Sequence, residues 1–292
     1  MFKDKEENFY DDREVEREIN AHGYSLGKKI GRGTASMVFK LFKEGKCFAC
    51  KLSPKTEMSE REKFFLRLVD SNIFLKLYEA WECRGKSYIV TEFAEGDNLE
   101  RYIRKKGFLT QSETIDAALR IAEGLSLLEG MDRPVLYRDL KAENIMYNKG
   151  MVKIVDMGCA CFIDEKAPGR VGTWGYAPPE QLSAEPEDNA CAQGMYSDVY
   201  AFGRLVHYML TGDSPYMPPF EKPGIRRYDG RFDRALERLI IMCTKANPLE
   251  RLPDMSCVQR ELEKIKAHRA LRGISGRGYM NKYIYEKNIF LR

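Results

Sequence analysis

Tryptophan and histidine are scarce in this chain, with 2 and 3 among 292 residues. The three histidines (His22, His207 and His268) stand far apart with no ligand spacing, which argues against an imidazole metal centre. The eight cysteines, at 47, 50, 83, 159, 161, 191, 243 and 257, include no C-x-x-C pair suited to zinc or a redox dithiol. Several lie in apolar runs, as in Phe48-Ala49-Cys50 and Ile241-Met242-Cys243, where Cys acts as a small hydrophobe. A reduced, cytoplasmic protein is the expectation. No stretch approaches the roughly 20 apolar residues of a membrane span. The acidic start lacks the apolar core of a signal peptide. A large excess of one charge is also missing: 48 Lys+Arg against 44 Asp+Glu leave +4, too little to argue for nucleic acid. There is no internal repeat and no low-complexity linker.

What is present is a globular balance, 43% hydrophobic and 32% charged. A chain this long buries roughly three quarters of its unfolded surface, so it needs no disulfide or metal staple. The charge is uneven. Residues 1–20 hold eight acids against four bases, and residues 267–292 hold six Lys/Arg against Glu286 alone. Both ends read as solvated extensions.

Between them the pattern changes once. Short β-rich runs at 24–31, 36–45, 46–53, 75–83 and 86–93 predict an antiparallel meander, with one helix over 59–70 inserted after the third strand. Segments 99–105, 112–130, 197–211, 232–245 and 255–268 carry helical periodicity. A two-lobed α+β protein follows, joined near Glu92–Gly96.

Three constellations carry chemistry. In I-G-R-G-T-A-S-M-V (30–38), a glycine-rich turn between strands lets backbone N–H groups approach phosphate, and Lys51 in F-A-C-K on the next strand can add a point charge. The loop joins strand to strand, unlike a dinucleotide fold, where it opens a helix. In V-L-Y-R-D-L-K-A-E-N-I-M (135–146), Asp139, Lys141 and Asn144 put a base, a cation and an amide ligand on one loop. In K-I-V-D-M-G (153–158), an apolar strand ends in Asp156, placed to hold Mg²⁺.

The order G-x-G…K…R-D-x-K-x-x-N…D-x-G…P-E resembles the protein-kinase signature set over about residues 24–266, and G-Y-A-P-P-E-Q looks most like bacterial eukaryotic-like serine/threonine kinases. The resemblance implies a two-lobed kinase fold: a small sheet lobe at 24–94 and a mainly helical lobe at 95–266. These are flanked by the acidic extension 1–23 and the basic tail 267–292. It implies ATP and Mg²⁺ as cofactors and transfer to Ser/Thr hydroxyls of a protein substrate. Lys51 would bind the α/β-phosphates and pair with a glutamate of the inserted helix, where Glu62 fits better than Glu57 or Glu60. Ile30, Gly31, Gly33, Ser36, Val38, Ala49, Thr91, Glu92, Ala94 and Met146 would form the nucleotide pocket, with Thr91 as gatekeeper. Asp139 would orient the acceptor hydroxyl, Lys141 would steady the γ-phosphate, and Asn144 with Asp156 would hold the metal. Glu180 of G-T-W-G-Y-A-P-P-E (172–180) would pair with Arg251, and Asp198 would brace the catalytic loop. Leu66, Leu77, Tyr137 and Met157 would stack as a spine.

Departures from the pattern are informative. Ser36 replaces the third loop glycine, Met157 the Phe of D-F-G, and Tyr137 the usual His before Arg138. The segment C-A-C-F-I-D-E-K-A-P-G-R-V-G (159–172) has no Ser, Thr or Tyr, so phosphorylation there cannot supply an anion. The expectation is that Arg138 pairs instead with Asp164 or Glu165, and that Thr173 orients Asp139. Cys159-x-Cys161 reads as small apolar filler rather than a redox sensor. The basic tail is a candidate for peripheral docking, with no transmembrane segment. Two alternatives are a pseudokinase scaffold, opposed by retention of Lys51, Glu62, Asp139, Asn144 and Asp156, and a small-molecule kinase, opposed by the P-P-E segment, Asp198 and Arg251.

Overall fold

Alternation sorts the side chains of the first third between two faces of one sheet. Along β3 (Lys46–Pro54), Phe48, Cys50 and Leu52 are buried on one side, which leaves Ala49 and Lys51 to the other. The same alternation runs through β2 (Met37–Lys43), whereas β5 (Lys86–Glu92), an inner strand, is buried on both faces from Ser87 to Thr91. The computed structural model describes residues 11–33, 35–165, 171–182, 193–215 and 232–274.

β1 (Ser25–Arg32), β2, β3, β5 and β4 (Leu77–Cys83) form a five-stranded, wholly antiparallel sheet in that spatial order. The expected meander therefore holds only for its first three strands. Helix α2 (Glu57–Leu68) interrupts the path after β3, so β4 returns at the edge and β5 comes back between them. The β4–β5 hairpin turns on Arg84 and Gly85, both at positive φ, the backbone that a two-residue hairpin needs. Thr56 and Ser59 close a reciprocal cap at the start of α2.

The acidic N-terminal segment is not simply solvated. Asp12–Ala21 form helix α1, capped by Asp11, and Val15 and Ile19 are completely buried against Phe39, Leu41, Phe48, Cys50 and Leu52 on the outer sheet face. Its charges are used as well: Glu14 reaches Arg84 at 3.0 Å and Lys86 at 2.8 Å. His22, at its C-cap, stacks on Trp81 at 3.8 Å, and Trp81 stacks on Tyr88 at 5.0 Å. An apolar i, i+4 pair within a run of charge is enough to dock a helix.

Beyond β6 (Asp97–Asn98) helices dominate: α3 (Leu99–Lys106), α4 (Gln111–Glu129), α5 (Pro179–Leu182), α6 (Met195–Thr211), α7 (Arg234–Cys243) and α8 (Met255–Ile274). Two small sheets carry the loops that matter below. β6 pairs with β8 (Ile145–Asn148), which pairs with β9 (Met151–Ile154), and β7 (Val135–Leu136) pairs with β10 (Cys161–Phe162). Helix α8 buries Met255, Val258, Leu262 and Ile265 and runs to Ile274, so the segment read as a basic tail begins inside a helix. Arg269 there donates to Gln111 at 2.8 Å. Residues 1–10 and 275–292 of the two extensions lie outside the described residues.

One large apolar cluster joins α2 and β5 to the helical lobe. It contains Leu66, Tyr137 and Met157, with Leu77 packed against it, so the four expected spine residues share one core.

Candidate active site

The site lies between the sheet and the loops of β6–β9. Strand pairing aligns its upper wall: Val38 is the register partner of both Gly31 and Lys51, and Ala49 of Thr91. Ile30 and Gly31 lie on β1. The turn after it is closed by Gly33 N–H donating to the Ser36 carbonyl at 2.8 Å. A Cβ on Gly33 would come within 2.6 Å of Ser36 Oγ, which gives this small residue a local reason beyond any ligand. Thr91 is buried at the end of β5. Glu92 follows, its carboxylate accepting from Lys76 N–H at 3.0 Å and from Lys153 at 2.5 Å. Ala94 comes just after β5, and Met146 lies on β8, half-buried.

Lys51 lies between two carboxylates, 2.7 Å from Glu62 Oε2 and 2.9 Å from Asp156 Oδ2. Glu62 thus makes the contact, and Glu57 and Glu60 turn to Arg61 and Lys63 instead. Burial opposes the charge on Lys51, but Glu62 and Asp156 together raise its pKa above the usual range. One cation thus stands between two acids, of which only Glu62 is sealed from solvent. Burial pushes the Glu62 carboxyl up to about 7 despite Lys51, with the Asp156 charge adding to the rise. Burial also acts against Asp156, but Lys51 and the Gly158 N–H outweigh it and hold this carboxyl below its ordinary value. Asp156 has positive φ, and its side chain is 37% exposed.

Below, Asp139 is held on both oxygens. Thr173 Oγ1 donates to Oδ1 at 2.7 Å, while Lys141 and the Asn144 amide donate to Oδ2 at 2.7 and 3.1 Å. Lys141 also donates to Thr173 at 2.8 Å, so Thr173 orients Asp139 as expected. Asp198, fully buried at the start of α6, accepts the backbone N–H groups of Tyr137 and Arg138 at 2.7 and 2.8 Å. Burial raises its carboxyl to about 6 against those two hydrogen bonds. Glu180 and Arg251 form a bidentate pair at 2.6 and 3.0 Å.

The expected pairing of Arg138 does not occur. Asp164 goes to Arg133 at 2.8 Å and Glu165 to Arg61 at 2.8 Å. Arg138, buried and at positive φ, donates from Nε to Gln193 at 2.7 Å. Both described acids of the segment are thus engaged by arginines other than Arg138. Cys159 and Cys161 are buried beneath the same loop, and burial pushes the Cys159 thiol up to about 12, in keeping with the filler reading.

Three contacts supporting the site were not foreseen from the sequence. The Gln181 amide bridges the carbonyls of Arg138 and Val171 at 2.5 and 2.6 Å, tying the catalytic loop to the P-P-E segment. Gly172 makes room for it, since a Cβ there would lie 2.3 Å from Gln181 Nε2 on a backbone with φ of 117°. The Tyr137 hydroxyl donates to the Val155 carbonyl at 2.5 Å, next to Asp156. Only Tyr137 could have been flagged beforehand, as a departure from the usual residue.

The sequence matches the protein kinase domain family over residues 24–261. It is 30% identical over 222 residues to sperm motility kinase 2A of Mus musculus, covering 72% of this chain and 40% of that protein. It is 27% identical over 239 residues to 3-phosphoinositide-dependent protein kinase 1 of Arabidopsis thaliana, covering 74% and 45%. A Clostridium acetobutylicum protein named a probable serine/threonine-protein kinase is 26% identical over 282 residues, covering 85% and 40%. The chain spans less than half the length of these relatives.

Proposed function

The chain belongs to the protein kinase domain family, and we propose that it is a serine/threonine protein kinase transferring the γ-phosphoryl group of ATP to hydroxyls of a protein substrate. One observation carries this: Lys51, Glu62 and Asp156 converge across the cleft, and Asp139, Lys141, Asn144 and Thr173 form one hydrogen-bonded cluster. In this reading Lys51 takes the α/β-phosphates, with Glu62 fixing its position. Ala49, Val38, Ile30 and Met146 enclose the adenine, with Thr91 behind it and backbone groups of Glu92 and Ala94 at its edge. Backbone N–H groups of the glycine-rich turn, Gly31 and Gly33 among them, would serve the phosphates. Asp139, oriented by Thr173, aligns the acceptor hydroxyl, and Lys141 steadies the transferring group. The gatekeeper and loop assignments follow the family resemblance.

The donor set suits magnesium. Among the described residues no group of three or more His, Cys, Asp or Glu converges as an all-protein cage. Asp156 and Asn144 offer one carboxylate and one amide oxygen, the sparse hard-oxygen set that Mg²⁺ takes when substrate phosphates complete its shell. When bound, the ion would neutralise phosphate charge; Asp156 and Asn144 would hold it.

The bacterial-type subclass is part of the proposal, supported by the Clostridium relative that matches over 85% of this chain. So is a cytoplasmic setting, in which buried thiols such as Cys50 and Cys243 stay reduced. No helix among the described residues is long and apolar enough to cross a membrane. The test incubates the protein with labelled ATP and a generic basic protein, with and without Mg²⁺, beside Asp156→Asn. Mg-dependent label transfer by the wild type alone is expected. No transfer, together with no Mg·ATP shift in melting temperature, would overturn the proposal.

A further inference from the structure

We infer that Gln181 is a positioning residue for the transfer step: its buried amide sets the placement of Thr173 relative to Asp139, and so the direction in which Asp139 presents its carboxylate to the acceptor hydroxyl. The inference rests on the kinase reading above.

Gln181 lies in α5, directly after the glutamate that pairs with Arg251, and is 2% exposed. Its Nε2 donates to the Arg138 carbonyl at 2.5 Å and to the Val171 carbonyl at 2.6 Å. The first carbonyl belongs to the peptide link into Asp139, and the second leads through Gly172 to Thr173. Thr173 Oγ1 donates in turn to Asp139 Oδ1 at 2.7 Å. These contacts close a ring that runs from Asp139 through Arg138 to Gln181, on to Val171, Gly172 and Thr173, and back to Asp139. Two separate loops meet at the reacting carboxylate, and Gln181 joins their backbones.

The strand of the ring next to Asp139 needs such a hold. Arg138 has φ of 69°, a backbone that a non-glycine residue keeps only where its surroundings impose it. Asp198 takes the Arg138 N–H at 2.8 Å, and Gln181 takes the carbonyl on the side of Asp139. Residue 138 is thus gripped from both ends.

The chemistry selects glutamine. Two carbonyl oxygens facing one point need two donors from one neutral group, which a primary amide supplies. A carboxylate would meet them with like partial charge, and an apolar side chain would leave both acceptors without this partner. The fit is close: a Cβ on Gly172 would lie 2.3 Å from Gln181 Nε2, so the segment passes the amide at a distance only glycine permits. Beyond it, the Thr173 carbonyl accepts from the Tyr176 and Ala177 N–H groups at 3.0 and 2.9 Å, a turn that carries the threonine as a unit.

The test compares Gln181→Met and Gln181→Glu with the wild type on the full chain. Gln181→Met nearly keeps the volume and removes both donors. It should lower kcat about ten- to a hundredfold, the scale of a reacting group displaced by about 1 Å. KM for Mg·ATP should stay nearly unchanged, because Lys51, Glu62 and Asp156 lie outside the ring. Gln181→Glu separates positioning from packing. Burial against two carbonyls should hold its new carboxyl protonated above the ordinary range, and only that form can donate. Its kcat relative to the wild type, normalised to protein that binds Mg·ATP, should therefore fall about threefold or more from pH 6 to pH 9. Hydrogen–deuterium exchange of peptides covering 172–177 gives a readout independent of transfer, and Gln181→Met should raise it. Wild-type kcat in Gln181→Met, a loss matched by an equal loss of Mg·ATP binding, a relative rate of Gln181→Glu that ignores pH, or unchanged exchange over 172–177 would each overturn the inference. A wild type that transfers no phosphate would overturn the kinase reading instead; the exchange measurement would still decide whether Gln181 holds the two loops together.

Discussion

Two of the carboxylate–cation clusters among the described residues are built in opposite ways. Glu180 and Arg251 are closed in the helical lobe, with side chains 6% and 0% exposed. The Arg251 donors left over from the bidentate pair go to the carbonyls of Lys245, Ala246 and Tyr196, and Ser197 donates to Glu180. Every charge there is matched and every donor placed. Lys51 with Glu62 and Asp156 is unbalanced, one cation between two acids, with one acid open to the cleft. A balanced, sealed pair can only hold the fold together. A cluster with surplus negative charge at its open end has capacity left for a cation or ligand.

That contrast breaks most sharply at Asp156. Asp156→Asn should lower kcat about a thousandfold or more, the scale of losing a principal electrostatic group, while the melting temperature stays within a few degrees because Lys51 keeps Glu62. A comparable loss of melting temperature would show that the open acid is structural after all. Arg251→Met should do the reverse, costing about 3–5 kcal/mol of stability because Glu180 is left buried and unpaired; chemical denaturation measures it. Lys51→Met lies between the two. Its rate should fall about a hundredfold, but with a smaller stability loss than Arg251→Met, because Glu62, already pushed up to about 7, can take a proton instead of staying charged. Equal denaturation midpoints for Lys51→Met and Arg251→Met would contradict that distinction.

The smallest expected effect involves a half-buried acid outside both clusters. Glu129 caps the start of α8 by accepting from Met255 N–H at 2.8 Å, and burial raises its carboxyl from 4.5 to about 8, with that hydrogen bond partly opposing the rise. A carboxyl whose folded pKa is raised favours folding below its unfolded pKa and loses that stabilisation as pH climbs toward the folded value. Stability should therefore decline between pH 4.5 and about 8 on account of this group. Glu129→Gln should raise stability by about 1–3 kcal/mol at pH 9 and have little effect near pH 5. Thermal melts at the two pH values decide it, and a pH-independent difference would assign the effect to packing.

Much of the candidate site was legible because its residues are close in sequence. Asp139, Lys141 and Asn144 share a loop, and Asp156 ends the next strand pair, so short motifs bring them together. Glu62 required a choice among three glutamates, made by pattern and matched by the 2.7 Å contact with Lys51. The pairing of Asp164 and Glu165 was not legible. Arg61, Arg133 and Arg138 are all reachable in principle, and only the path of the loop selects among them. Helix α1 was missed for another reason: its charge dominates the composition, whereas its docking depends on Val15 and Ile19 alone. Strand order in the sheet was half legible, because periodicity identifies strands but does not say which neighbour each strand takes.

From the sequence alone came the family, the two-lobed division, the elements and the residue types of the cleft, because each depends on spacing along the chain or on periodicity. Only the tertiary structure decided where β5 lies, which arginine takes which acid, that Gln181 braces the catalytic loop, and that an acidic end is half core. Those outcomes depend on contacts between residues tens to a hundred positions apart. Such contacts are set by how the lobes and loops pack, and no local pattern in the chain encodes them.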